Sequence, residues 1–169
     1  FKNLTKIFKH SGKLVSDYYL LYENAAYINM GILGIASTTY ILLIGGDLNG
    51  PTISGILTIV GFGTFGKHLF NVAPIMIGAS LTVFLHVCEL NSPSMLLAIL
   101  FSTALAPIAG QYGWLLGMLT GFLHVAVVMN TGYVHGGMNL YNNGFAAGFV
   151  ALILIPIIRA LKRGEEHES

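Results

Sequence analysis

The sequence predicts an all-α integral membrane protein: an interfacial amphipathic helix followed by six apolar segments. Three observations predict it. Only 15 of the 169 residues are Asp, Glu, Lys or Arg, 9 %, against about a quarter in an ordinary soluble domain. Hydrophobic residues make up 54 % and the mean hydropathy is +0.73. The charges are also unevenly placed, with 69 consecutive uncharged residues between Glu89 and Arg159. A soluble fold of this size has too much surface for its volume to hide such a stretch, whereas a bilayer hides it. A soluble enzyme, a nucleic-acid binder, a disordered chain and a disulfide scaffold are thereby excluded. The net charge of +1 offers no basic face for nucleic acid. Cys88 is the single cysteine, so no intrachain disulfide can form, and it reads as a small apolar packing residue.

Residues 1–24 form the first unit. Lys2, Lys6, Lys9 and Lys13 recur every three or four residues and share one broad helical face, with Leu4, Ile7, Phe8 and Leu14 largely between them. This pattern predicts an amphipathic helix in the membrane interface, or a solvated linker helix. It lacks the uninterrupted apolar core of a signal peptide. Tyr18, Tyr19 and Tyr22 follow, placed for an aromatic belt.

Residues 25–162 form a polytopic domain, and 163–169 a charged cytoplasmic tail. The apolar segments run roughly 25–45, 51–66, 70–88, 93–108, 113–130 and 143–162. Crossing the hydrocarbon takes about 20 helical residues. The first, third, fifth and sixth segments are long enough or nearly so. The second runs into Gly61, Gly63 and Gly66, and the fourth lies between Pro93 and Pro107. Short segments interrupted by Gly or Pro point to a transporter's binding site, so 51–66 and 93–108 are expected to be re-entrant or broken. The other reading is two plain short spans joined by loops. Phe84 to Val87 recurs as Phe122 to Val125, a faint sign of an internal repeat.

Four lysines precede the first span, and Arg159, Lys162 and Arg163 end the last. The positive-inside rule then puts both termini in the cytoplasm, and a bacterial-type plasma membrane is the expected location. Six full spans satisfy this, and so do four spans with two re-entrant elements.

Candidate chemistry falls at the segment ends. Gly61 to His68 matches a phosphate-loop pattern, but the pattern needs a preceding strand in a soluble α/β unit, and here a membrane segment precedes it. The better reading is a glycine-broken helix with Lys67 and His68 at the break. Lys67 is the one basic side chain between the two charged ends, and an ionisable group near membrane depth is a functional candidate. Its other reading is an interfacial lysine. A second cluster, His135 to Gly144, holds His135, Asn139, Tyr141, Asn142 and Asn143 just before an apolar helix. Asn142 or Asn143 is expected to cap that helix and to present its positive end to a polar or anionic solute. Asn49, Asn71 and Gln111 sit at other segment ends, and His86 and His124 on spans. Alone, each reads as a packing or helix-gluing residue that must find hydrogen bonds in lipid. Gly117-x-x-x-Gly121 and Gly144-x-x-x-Gly148 offer faces for close helix contact.

At Asn49 to Leu57, Gly61 to His68, Ala106 to Gly110 and His135 to Gly144 the sequence resembles the membrane family called domain of unknown function 1576, over residues 11 to 162. The resemblance implies chains more than twice this long, with two related halves, of which this sequence is similar to the C-terminal one. A related second half, or further copies of the chain, would then complete the fold. The segment from Asn49 is also faintly similar to the Asn-Pro segments of urea channels.

The function expected is a transporter or channel for a small polar or anionic solute. Asn49, Lys67, His68, Asn71, Gln111, His135, Asn139, Asn142 and Asn143 would line its path, with no cofactor and no metal. A non-catalytic structural membrane subunit is the alternative. A haem-binding redox subunit held by His86 and His124 is a third. A membrane hydrolase is disfavoured, since no Asp or Glu lies within the interior segments and no hydrolase motif occurs.

Overall fold

A computed structural model describes residues 2–13, 17–85 and 89–168, so Leu14, His86 and Cys88, with the pairing of His86 and His124 and half of the Phe84 to Val87 repeat, lie outside the described residues. Among the described residues the chain is helical and without strands. The N-terminal unit is two short helices where one was expected, α1 (Lys2–Ile7) and α2 (Tyr18–Tyr22). Its apolar residues turn onto the bundle: Ile7 and Tyr18 are fully buried in a cluster with Ala25 and Ala26. Asp17 caps α2 by accepting from the Tyr19 and Leu20 backbone N–H groups. Burial, reinforced by Tyr22, pushes the Tyr18 phenol up to about 12, so it packs as a neutral ring.

The rest is α3 (Asn24–Leu43), α4 (Gly50–Gly61), α5 (Leu69–Ser80), α6 (Pro93–Ser102), α7 (Ala106–Tyr112), α8 (Trp114–Thr131) and α9 (Asn139–Glu168). Four runs are long and apolar enough to cross a membrane: Asn24–Leu43, Pro93–Tyr112, Trp114–His135 and Asn139–Arg163. The short helices are therefore the second and third segments, not the second and fourth. The third loses length because α5 gives way to a 3₁₀ turn over Leu81–Leu85. The fourth gains length because Pro107 does not end it. Proline lacks the N–H that would bond the Thr103 carbonyl, and its ring pushes that carbonyl aside. The backbone responds by tightening to a 3₁₀ turn over Thr103–Leu105 and then continues as α7 to Gly113, whose φ of +96° stops it.

One end of the bundle gathers the N-terminal strap, residues 8–13 after α1, with the α4–α5 junction, Tyr112 and Lys162. Ser11 abuts Gly110, His68 contacts His10, and the Lys162 ammonium lies 5.2 Å from the Tyr112 ring. The opposite end holds the turn at Gly45, which faces Asn91, and the Gly132–Met138 connection. The largest core cluster, with Leu33, Ile59, Met95, Ile99 and Leu100, joins α3, α4 and α6 to the bundle.

The tightest packing is α5 on α8. A Cβ at Gly78 would collide with the Met118 carbonyl, and one at Gly121 with the Ile75 carbonyl. Gly144 and Gly148 meet nothing within 4 Å and form no such contact within the chain. Gly121→Ala should therefore cost about 1–3 kcal/mol of stability through overpacking. Gly144→Ala should leave stability unchanged, as thermal unfolding of the purified variants would show.

Candidate functional site

The site is built on the break between α4 and α5. A helix end leaves backbone groups without intrahelical partners, and lipid offers none. Side chains supply them here. Asn29, on α3, donates through Nδ2 to the Gly63 carbonyl at 2.7 Å and the Lys67 carbonyl at 2.8 Å. Asn71 donates to the Gly66 carbonyl at 2.9 Å and accepts from the His68 backbone N–H at 2.9 Å. His68 Nε2 donates to the His10 carbonyl at 2.8 Å, and Phe8 packs against His68 and Phe70. Gly66 has a φ of +103° and touches the backbone of Gly12, which has a φ of +72°. A side chain at either glycine would separate the strap from the break.

The break leaves Lys67 pointing inward. It is only 9 % exposed. Its Nζ donates to Thr103 Oγ1 at 2.8 Å and stands 5.0 Å from the centre of the Phe62 ring. Thr103 lies nine residues from the end of its run at Tyr112, roughly 14 Å along the helix axis. The ammonium is thus held about midway along the apolar run Pro93–Tyr112. All seven acidic residues sit outside the apolar helical segments, and among the described residues none pairs with it. A buried, unpaired charge is costly. Lysine has three donors, and the one hydrogen bond leaves two.

Beside Lys67 opens a cavity of about 330 Å³, walled by Thr58, Phe62, Phe65, Phe101 and Pro107, with Gly12 and Lys13 of the strap closing one side. A second cavity, of about 150 Å³, shares Phe101 and Ala104 with it and is otherwise lined by Leu140, Asn143 and Gly144.

The polar cluster before the last helix is organised differently from the expectation. Helix α9 begins at Asn139, so Asn142 and Asn143 lie inside it and do not cap it. Asn142 accepts from Thr131 Oγ1 at 2.7 Å and donates to the Val128 carbonyl at 2.8 Å, which ties α9 to the end of α8. Asn143 donates to the Asn139 carbonyl, so its oxygen accepts from His124 Nε2–H at 3.0 Å. His124 is fully buried, and its Nδ1 has no partner among the described residues.

The remaining expected site residues are dispersed. Asn49 is the exposed N-cap of α4, in a reciprocal pair with Thr52. Gln111 is exposed in the last turn of α7. Half-buried His135 packs its ring 5.3 Å from Phe145. Of the nine expected residues, Lys67 lines the larger cavity and Asn143 the smaller, while His68 and Asn71 hold the break. Sequence reasoning missed Asn29 and Thr103. An amide inside an apolar span was a readable signal for the first; nothing marked the second, because which hydroxyl meets the lysine depends on packing.

These features define an integral membrane protein with a cation-bearing helix break in its interior. The chain belongs to the family described as protein of unknown function (DUF1576), which matches residues 1–160. No curated protein and no solved structure matches it.

The geometry separates two kinds of polar residue. Thr103 Oγ1 still donates to the Leu100 carbonyl at 2.7 Å when Lys67 is gone, so Lys67→Met should leave the melting temperature unchanged or raised. Asn29→Leu orphans two buried carbonyls, at about 1–3 kcal/mol each, and should lower it clearly.

Proposed function

We propose that the protein is a transporter or channel that carries a small polar or anionic solute across the membrane, and is not an enzyme. The observation that carries this reading is Lys67: a buried ammonium without an acidic partner among the described residues, keeping two donors and facing a cavity. A polar residue inside a membrane protein faces the interior or a water-filled space and marks a solute path. The two cavities share Phe101 and Ala104 in their walls and lie between the strap end and the start of α9. Their line supports a route from Lys67 toward Asn143. Lys2, Lys6, Lys9, Lys13, Arg159, Lys162 and Arg163 gather at the strap end, which supports both termini being cytoplasmic. A related second half, or another copy of the chain, would close the route on the side that this chain leaves open.

The asparagines favour a second reading, a structural membrane subunit. Asn29, Asn71 and Asn142 give their donors to backbone carbonyls, as helix glue would. That reading leaves Lys67 and its cavity without a purpose.

Flux into protein-containing liposomes decides between the two. Tested with chloride, phosphate, acetate, benzoate and urea, the wild type should pass at least one solute faster than empty vesicles. Lys67→Met should cut that flux at least tenfold. Wild-type flux equal to that of empty vesicles for every solute would support the structural subunit instead.

A further inference from the structure

We infer that the Lys67 cavity binds a monocarboxylate with a compact apolar body, about the size of benzoate. This rests on the anionic-solute reading above and names the class of ligand.

The donors set the headgroup. Among the described side chains lining the cavity, the buried free donors are the two N–H bonds that Lys67 does not give to Thr103, while the ammonium of Lys13 stands exposed at the strap side. Thr58 offers none, because its hydroxyl hydrogen is committed to the Ser54 carbonyl at 2.8 Å. Two donors on one ammonium match a carboxylate, whose charge they neutralise in a charge-assisted pair. Phosphate or sulfate would leave several oxygens stripped of water and unmatched, which is expensive away from solvent. The exposed ammonium of Lys13, on the strap beside the cavity, adds a screened attraction for any anion approaching from that end.

The walls set the body. Phe62, Phe65, Phe101 and Pro107 present aromatic and aliphatic surface. They reward an apolar group of the ligand, while a small hydrated ion gains nothing from them. The volume of about 330 Å³ lies at the lower end of the range for small-molecule sites, which limits the body to about one ring or a short chain. A free acid from water and a fatty acid from the bilayer share this chemistry.

The test is titration calorimetry on the full chain in lipid nanodiscs, with benzoate, its neutral counterpart benzamide, inorganic phosphate and decanoate as probes. Benzoate should bind at least tenfold more tightly than benzamide and phosphate. Lys67→Met should weaken benzoate at least tenfold. Ala104→Leu, which narrows the cavity from an exposed wall position, should weaken it while Lys67 stays in place. Decanoate tests the size limit and the source: weaker binding than benzoate assigns the site to a compact water-borne acid, whereas Lys67-dependent binding much tighter than that of benzoate would overturn the compact body and assign the site to a lipid acid. Phosphate or benzamide binding as well as benzoate would overturn the inference. So would benzoate affinity unchanged in both variants. Lys67-dependent benzoate binding without any flux would retain this site and refute transport. Lys67-dependent flux of chloride without benzoate binding would do the opposite.

Discussion

Between α4 and α5 the backbone reverses inside an apolar surround, and its carbonyls must find donors there. Water cannot reach them freely and lipid offers nothing. Asn29 satisfies two of them and Asn71 a third. Those bonds cross from α3 to the break and from the break to α5, so they fix the two short helices against a long one. The strap depends on the same feature. His10 gives its carbonyl to His68, and Gly12 lies against Gly66 only because neither carries a side chain. Removing the amides would leave no low-energy way for the chain to turn here, and two helices of twelve residues are too short to compensate by crossing separately.

A second consequence concerns charge. Once the break is pinned, residue 67 has its carbonyl held by Asn29 and its side chain directed toward the middle of the Pro93–Tyr112 run. Pro107 weakens that run one turn beyond Thr103, and the 3₁₀ turn places a threonine hydroxyl within reach of the ammonium. A neutral hydroxyl and the Phe62 ring soften the desolvation without cancelling the charge. A hydrophobic residue would be more stable at this position. That the position carries a lysine beside a cavity is the kind of stability deficit expected at functional sites.

The membrane class and the helical fold were legible from charge spacing alone, because a 69-residue uncharged stretch has few physical solutions. The break at Gly61 to His68 was legible from its glycines, as was Lys67. Segment lengths were read less well. Apolar composition does not distinguish α-helix from the 3₁₀ turn after Ser80, and Pro107 looked like a stop although it sits in the first turn of α7, where proline is tolerated. Asn142 and Asn143 resembled caps because they precede an apolar run, but the helix starts earlier and they bond sideways to α8. Convergence of the polar residues depends on tertiary packing, which is why Asn49 and Gln111 were grouped with Lys67 although they lie at exposed helix ends.

A transport path through this site requires residue 67 to be both deep in the membrane and reachable by a small solute. Cysteine reactivity tests both together. In a chain with Cys88 replaced by Ser, Lys67→Cys would be exposed to a small anionic, membrane-impermeant thiol reagent in proteoliposomes, with Ile59→Cys as the buried control. Position 67 should react, more slowly with bulky reagents, and position 59 should not. Equal inertness of both positions until the protein is unfolded would contradict such a path.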